Sequence, residues 1–316
     1  MIFTIISISF IVLILISNEF IKSSYWYQAK FEDALKFRNI PDDLQIVNLG
    51  SNSGKYGFDY KACDIKGMNW AVGPQTIYFD NEILQTNIQN IERHGIVIFT
   101  IVPFSSILDK YQSNNANDKY YLFLASESIP DYSILVKFNI ELGKIFPIWI
   151  FFISPKMLIR LYRTSKPNSM LEHNPMNETQ LIKDSLGWIK GWQNQFSINK
   201  LTNPLSEYHK LIMQENRILL MQMIDLCFKN NLKPVIVLPP VTNYLLAHLT
   251  REVRKIYVYD FLSEIIKEKG VKLFDYMEDD DFKNPDLYFN SFFLNTCGRI
   301  LFTERVIRDI KSHTRT

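Results

Sequence analysis

The chain has 316 residues, of which 47% are hydrophobic and 14% aromatic, and its formal net charge is only +2. This composition supplies ample apolar material for a folded core and excludes a chain that is disordered throughout. Lysine and arginine are dispersed without a basic run, so we expect no nucleic-acid partner. The three cysteines are far apart and form no CxxC pair, so neither a zinc site nor a disulfide framework is predicted, and we expect no cofactor.

The first predicted element is an apolar segment at the amino terminus. Residues 2–17 carry no charge and no helix breaker, and no small-x-small cleavage pattern follows them. We therefore predict an uncleaved transmembrane signal anchor over residues 1–22, followed by a connector over residues 23–44. Lys22 and Lys30 follow the apolar segment, and by the positive-inside rule alone they favour a cytoplasmic domain.

From residue 45 onward, strand and helix patterns alternate. Short apolar runs typical of buried strands occur at residues 45–49, 95–102, 233–238 and 271–276. Helical periodicity occurs at residues 74–93, 203–230, 251–269 and 295–311. Asn203 and Pro204 are expected to begin the second of these helices. The alternation predicts a three-layer α/β/α fold in a single domain over residues 45–316, whose parallel sheet is covered by helices on both faces.

The alternation fails over residues 105–202, which we interpret as a large insertion or lid within that domain. This segment includes a second apolar stretch at residues 145–154, which contains Pro147 and is too short to span a bilayer. Two interpretations of the stretch stay open, namely packing inside the protein and contact with the membrane surface.

Two segments at opposite ends of the α/β pattern resemble conserved blocks of the SGNH (GDSL-like) hydrolases. Residues 48–60 read NLGSNSGKYGFDY and resemble the first block, in particular that of the envelope-polysaccharide branch, which reads Gly-Ser-Ser-His followed by Tyr-Gly. Residues 288–298 read YFNSFFLNTCG and resemble the last block, Asp-x-x-His-Leu-Asn followed by Gly, and Phe302 and Thr303 supply its later Phe-Thr pair. The resemblance implies the SGNH fold, a flavodoxin-like arrangement, and esterase or acyl-transfer chemistry.

The residues that carry the family's chemistry are replaced at all three positions. Asn52 stands where the resemblance places the nucleophilic serine, Phe293 where it places the histidine base, and Asn290 where it places the orienting aspartate. A serine nucleophile needs a base within hydrogen-bond reach, and phenylalanine cannot accept a proton. Ser51 and Ser53 flank the lost position as alternative nucleophiles, for which His248 is the least implausible base.

Several residues are predicted to line a pocket at the carboxyl ends of the strands. Gly73 and Gln75 lie where the resemblance places an oxyanion-donating block, although an ordinary strand-to-helix turn explains them equally well. Asn243 and Tyr244 follow the strand at residues 233–238, and helix capping is the alternative explanation of Asn243. The candidate binding residues are Gly50, Ser51, Asn52, Gly73, Gln75, Asn243, Tyr244 and Asn290. The acidic run at residues 278–281 is expected to be a solvated loop rather than a cation site, so no metal site is predicted.

Three hypotheses about function follow. In the first, a catalytically degenerate SGNH-like protein binds a glycan or a partner protein in cell-envelope polysaccharide or acyl-group handling. In the second, an active esterase or O-acyltransferase uses a displaced serine. In the third, the chain is a membrane-anchored scaffold whose insertion docks an integral-membrane acyltransferase. The resemblance implies an extracytoplasmic domain, in conflict with the charges that flank the anchor.

Overall fold

A computed structural model describes residues 2–111, 117–153 and 176–313. The chain forms two compact units. Unit 1 comprises Met1–Ile40 and Gln112–Asn168, and unit 2 comprises Pro41–Tyr111 and Ser169–Thr316. The segment predicted as one insertion, residues 105–202, is thus divided between the two units.

Every strand found in the described ranges belongs to unit 2, and helices occur in both units. The strands in the described ranges are β1 Leu44–Leu49, β2 Gly67–Asn69, β3 Ile91–Thr100, β4 Lys233–Leu238 and β5 Lys272–Asp275. The first helices are α1 Ile2–Lys22, α2 Tyr25–Lys36, α3 Asn52–Lys55, α4 Ile77–Asn87, α5 Ile134–Ile145 and α6 Ile148–Ile153. The later helices are α7 Glu178–Gln195, α8 Glu207–Lys229, α9 Asn243–Leu246, α10 Arg251–Arg254, α11 Asp260–Lys269 and α12 Thr296–His313.

Unit 2 is an α/β unit with a five-stranded sheet in the order β2-β1-β3-β4-β5, and every pairing is parallel. One face of the sheet packs against α12, where Ile46, Ile98 and Val237 share a core with Phe302 and Val306. Helix α8 packs against β4 and also against α4 and α11. Because alternate strand residues point to opposite faces, both faces of a buried parallel strand must be apolar, as they are here. The α/β class and the parallel sheet are confirmed, and the arrangement is consistent with three layers.

Three helix boundaries differ from the sequence-based prediction. Helix α8 begins at Glu207 rather than at Asn203, because the Ser206 side chain accepts the capping hydrogen bond from His209 N. The helix predicted over residues 74–93 ends at Asn87, and Ile91 already pairs with Leu44 in the sheet. The helix predicted over residues 251–269 is interrupted by a π-turn at Lys255–Tyr259.

Unit 1 is helical in its described part. The buried side chain of Asn18 on α1 donates from Nδ2 to Ile145 O at 3.0 Å, and its Oδ1 accepts from Ile148 N. Tyr27 on α2 donates from its hydroxyl to Lys144 O at 2.6 Å. These bonds fix the carboxyl-terminal end of α1, together with α2, to the junction of α5 and α6, and they satisfy carbonyls that the end of α5 leaves free.

The residues predicted as a transmembrane signal anchor form helix α1. By length and mean hydropathy together, no helix within residues 2–111, 117–153 and 176–313 qualifies as a membrane span.

Candidate functional site

The candidate site is built around the turn at the carboxyl end of β1. Gly50 has a φ of +122°, and a Cβ there would lie 2.8 Å from Thr100 O at the end of β3. A side chain is therefore excluded twice, by the backbone conformation and by the neighbouring strand. The turn closes against β3 and directs the chain into α3, so the first block resembling the SGNH hydrolases opens at the edge where parallel sheets bind ligands.

Ser51 and Gln75 lie in contact across this edge. The backbone N of Gln75 donates to Ser51 Oγ at 3.1 Å. The structure thus brings together two of the predicted binding residues that are 24 positions apart in the sequence. The Ser51 hydroxyl accepts this bond through a lone pair, and no hydrogen bond from the hydroxyl to a histidine is found in the described ranges.

A buried carboxylate, Asp80 on α4, holds the same two segments together. Its Oδ1 accepts from Gly50 N at 2.8 Å and from the side-chain amide of Gln75. Burial raises the pKa of Asp80 to about 7, although the hydrogen bonds from Gln75 and Gly50 act in the opposite direction. Asp80 is not identifiable as a site residue from the sequence, because one acidic residue in the first turn of a helix is an ordinary pattern.

Asn52 occupies the space above Gly73. An ideal Cβ built on Gly73 would lie 1.6 Å from Asn52 Oδ1 and 2.6 Å from its Cγ. No hydrogen bond of the Asn52 side chain to another residue is found within the described part of the chain. Asn52, at the position to which the resemblance assigns the nucleophile, is therefore a half-buried amide that lies against Gly73. It retains donors and an acceptor for a ligand.

The last block forms a tight turn in which Asn290 has a structural role. Its Oδ1 accepts from Phe292 N at 2.9 Å and from Phe293 N at 2.7 Å, so the side chain closes an Asx-type turn. Its Nδ2 makes no hydrogen bond with the described residues. Only one end of this amide is used within the protein, and the other end is free to donate.

Phe293 is surrounded by aromatic rings at the position that the resemblance assigns to the base. Its side chain is only 6% exposed. The ring centroids of Tyr56, Trp188 and Phe292 lie 5.4, 5.4 and 4.6 Å from that of Phe293. Aromatic pairs at these distances are favourable packing contacts, and they enclose the position in an apolar environment.

Helix α7, from the segment predicted as an insertion, anchors the last block. Asp184 Oδ2 accepts from Ser291 N at 3.0 Å, from Ser291 Oγ at 2.5 Å and from Trp188 Nε1 at 3.1 Å. Ser291 O in turn accepts from the backbone N and the hydroxyl of Thr242. Asp184 and Trp188 lie in a segment that shows no family motif, so the only sequence signal for them is the helical spacing of Asp184, Trp188 and Trp192.

An open cavity of about 590 Å³ lies along α7. Its lining combines an aromatic ring, an amide, a carboxylate and an ammonium group around two glycines; the lining residues are Met176, Gln180, Lys183, Asp184, Gly187, Trp188 and Gly191. Trp188 borders both this cavity and the aromatic cluster of Phe293. A further cavity of about 510 Å³, next to Cys63 and Arg308, contains none of the predicted site residues.

The remaining candidates lie on or beside α9, after β4. Thr242 caps this helix by accepting from Leu245 N, so Asn243 is not the cap and its side chain is exposed. Tyr244 and His248 are half-buried. No hydrogen bond in the described ranges joins His248 to Ser51 or Ser53, and Ser53 Oγ is buried without a partner. Among the described residues, His248 therefore forms no hydroxyl–imidazole pair with either serine.

The acidic run at residues 278–281 is occupied by ion pairs with arginines. Glu278 accepts from Arg254 at 2.8 Å, while Asp279 and Asp281 pair with Arg305. No cluster of three metal-ligating side chains occurs among the residues that the structure describes.

No protein-family model matches the sequence, and no curated protein matches it significantly.

Proposed function

We propose that this chain is a membrane-attached, SGNH-hydrolase-like protein that binds a glycan in the handling of cell-envelope polysaccharide, without hydrolysing it. The observation that carries the proposal is the position of Phe293. The residue that the resemblance assigns to the base is buried among Tyr56, Trp188 and Phe292 and cannot take a proton. The turn after β1 is nevertheless an ordered polar site, since Gln75 N donates to Ser51 Oγ, and Asp80 accepts from both Gly50 N and the Gln75 side chain.

A glycan is favoured because amides and aromatic rings alternate around the site. Tyr56 lies one helical turn after Asn52, and Phe289 directly precedes Asn290. The two rings are half-buried and meet edge to face with their centroids 5.4 Å apart. A sugar ring has an apolar face that packs on such rings and hydroxyl groups that pair with amide donors and acceptors. A largely apolar surface with few directed polar groups is the usual composition of a ligand site.

Binding is tested with a glycan array that displays hexose and hexosamine oligomers with and without O-acetyl groups. The full-length protein in detergent is expected to bind a subset of these oligomers. Replacing Tyr56 by Ala should weaken that binding about fivefold or more, because stacking contacts with an aromatic ring are worth about 1 kcal/mol or more. Tyr111→Ala is the matched control, since Tyr111 is an exposed tyrosine of the same unit outside the site. Equal loss in both variants, or no binding by the parent protein, would contradict the proposal.

The absence of hydrolysis is tested by labelling the full-length protein with a serine-directed fluorophosphonate and mapping adducts by mass spectrometry. We expect no specific adduct at Ser51 or Ser53. An adduct at either serine that disappears in the His248→Ala variant would instead establish an esterase or acyltransferase with a displaced nucleophile.

Membrane attachment is proposed through α1. Nine large apolar side chains of this helix, all between 46% and 71% exposed, are Ile6, Ile8, Phe10, Ile11, Val12, Leu13, Leu15, Ile16 and Phe20. A helix that is apolar on every side is stable only when it is buried, and lipid is the environment that buries it without a protein partner. On this proposal unit 2 lies on the extracytoplasmic side.

Attachment is measured by sedimentation of the full-length protein with phospholipid vesicles. The parent protein should sediment with the vesicles, and the triple variant Ile6→Asn, Phe10→Asn, Leu13→Asn should stay in the supernatant. A parent protein that stays in the supernatant would contradict attachment through α1.

A further inference from the structure

Helix α5 of unit 1 exposes an apolar face. Ile134, Leu135 and Phe138 are 73%, 71% and 62% exposed, and Ile145 near the end of the helix is 54% exposed. At 100° per residue these four side chains fall within a sector about 100° wide, which is the width of the face that an amphipathic helix normally buries. We name these four residues the α5 stripe.

The opposite face of α5 is already covered by the protein. Gly143 is buried against α6, where a Cβ would lie 2.8 Å from Ile150 Cγ1. At the start of the helix, Ser133 N donates to the hydroxyl of Tyr121. The helix therefore has its packing partners within unit 1, and the α5 stripe is a second apolar surface beyond them.

The α5 stripe ends at the point where α1 is fastened. Asn18 of α1, which is only 2% exposed, bonds to Ile145 O and Ile148 N. Phe146 and Trp149, just beyond the stripe, are also exposed. The carboxyl-terminal part of α1 is therefore bonded to the same end of α5 at which Ile145 and Phe146 are exposed.

We propose that the α5 stripe lies in the headgroup–acyl boundary of a lipid bilayer as a second membrane contact beside α1. The inference rests on the proposed attachment of α1 to a membrane. Lipid is the occupant that suits the stripe, since Lys137 lies along one edge of it, and Lys144, which pairs with Glu141 at 3.2 Å, lies along the same edge. Lysines beside an apolar helical face, with tryptophan at its border, are the pattern of helices that lie in the membrane interface. Such a contact holds unit 1 against the bilayer surface at two points.

The test places an environment-sensitive bimane probe on the α5 stripe of the full-length protein. Leu135→Cys is compared with Glu127→Cys, an exposed acidic position in the same unit, in a background in which Cys63 and Cys297 are serine. The proteins are bound to vesicles of phosphatidylcholine and phosphatidylglycerol that contain brominated lipid. We expect the probe at residue 135 to be quenched at least threefold more strongly than the probe at residue 127.

The outcomes separate this inference from the attachment on which it rests. Sedimentation with the vesicles but equal quenching at the two positions would overturn the lipid contact of α5 and leave attachment through α1 intact. Failure to sediment would overturn both. A probe at residue 135 that is shielded from aqueous iodide but not quenched by brominated lipid would assign the stripe to a protein partner, and the lipid assignment would be wrong.

Discussion

The side chain of Asn52 occupies the space into which any side chain at residue 73 would project. An ideal Cβ on Gly73 would lie 1.6 Å from Asn52 Oδ1, well inside the shortest contact that real Cβ atoms make. The side-chain amide of Asn52 therefore packs directly against the backbone of Gly73. The pair Asn52–Gly73 defines the local geometry of the site at the position to which the sequence resemblance assigns a nucleophile.

Replacing Gly73 by Ala should displace Asn52 and destabilise the protein. The clashing atoms belong to the terminal amide of Asn52, which can turn away, so we expect a loss of only about 0.5–1.5 kcal/mol in the free energy of unfolding, the cost of an off-rotamer side chain. Removing the amide in the double variant Gly73→Ala, Asn52→Ala should recover most of that loss. Urea denaturation of the two single variants and the double variant gives the coupling energy. If the two substitutions changed the free energy of unfolding additively, the contact between Asn52 and Gly73 would be contradicted.

Gly187 on α7 provides the matched control for the Gly73 substitution. A Cβ on Gly187 has no atom of another residue within 4 Å. Alanine at this position should therefore be neutral or stabilise the protein by up to about 1 kcal/mol, because glycine is the poorer helix former.

Asp80 predicts a specific pH dependence of stability. Its pKa is raised from 3.8 to about 7 by burial, so the folded state holds a proton that the unfolded state releases above pH 4. The stability that this group supplies is complete below pH 4 and is lost as the pH rises through about 7. The full cost at pH 8 is about 4 kcal/mol, from three pK units at 1.36 kcal/mol each.

The Asp80→Asn variant removes the ionisation and keeps an oxygen that can accept from Gly50 N and from Gln75. The stability of the variant relative to the parent protein should therefore increase between pH 5 and pH 8. Urea midpoints measured across this range give the difference directly. A difference that does not change with pH would show that Asp80 titrates normally in the folded protein.

The pairing of Asp184 with Ser291 predicts that α7 holds the last block in place. Asp184→Ala leaves the buried N and hydroxyl of Ser291 without their acceptor, so we expect a loss of about 2–3 kcal/mol. Lys190→Ala, an exposed position on the same helix, is the control and should change stability by less than about 0.5 kcal/mol. A cycle with Ser291→Ala measures the direct coupling, and a coupling near zero would contradict the contact.

The aromatic cluster predicts that Phe293 is a packing residue. Phe293→Ala should cost about 3–5 kcal/mol, as expected for a buried phenylalanine, and Phe289→Ala, at a half-buried position, should cost clearly less. Thermal unfolding of the two variants compares them. Equal and small losses would indicate an open pocket at residue 293.

The α/β class and the parallel sheet could be predicted from the sequence because continuous apolar runs such as residues 95–102 have few other stable placements. The helix predicted through residue 93 was wrong because Ile88 and Ile91 have a spacing that suits a helix as well as a turn followed by a strand. Pairing of Ile91 with Leu44 decides between these two alternatives, and this pairing depends on a residue 47 positions away.

The candidate site was predictable only in part. The motif resemblance identified Ser51, Gly73 and Gln75, and the structure brings these segments together. It did not identify Asp80, Asp184 or Trp188, because their roles arise from contacts between segments that carry no shared motif. The division of residues 105–202 between two units could not be predicted from local sequence patterns. The two segments of unit 1 are joined by bonds between residues far apart in the chain, such as that of Asn18 to Ile145.

The central claim, binding of a glycan without its hydrolysis, is tested most directly by saturation-transfer difference NMR on an O-acetylated hexosamine oligomer with the full-length protein. In a single sample, transfer of saturation from the protein to the sugar protons measures binding. The resonance of free acetate in the same sample measures hydrolysis. We predict transfer that is lost in the Tyr56→Ala variant and acetyl signals that stay constant over hours. Release of acetate that stops in the Ser51→Ala variant would contradict the account and show that the site is an enzyme.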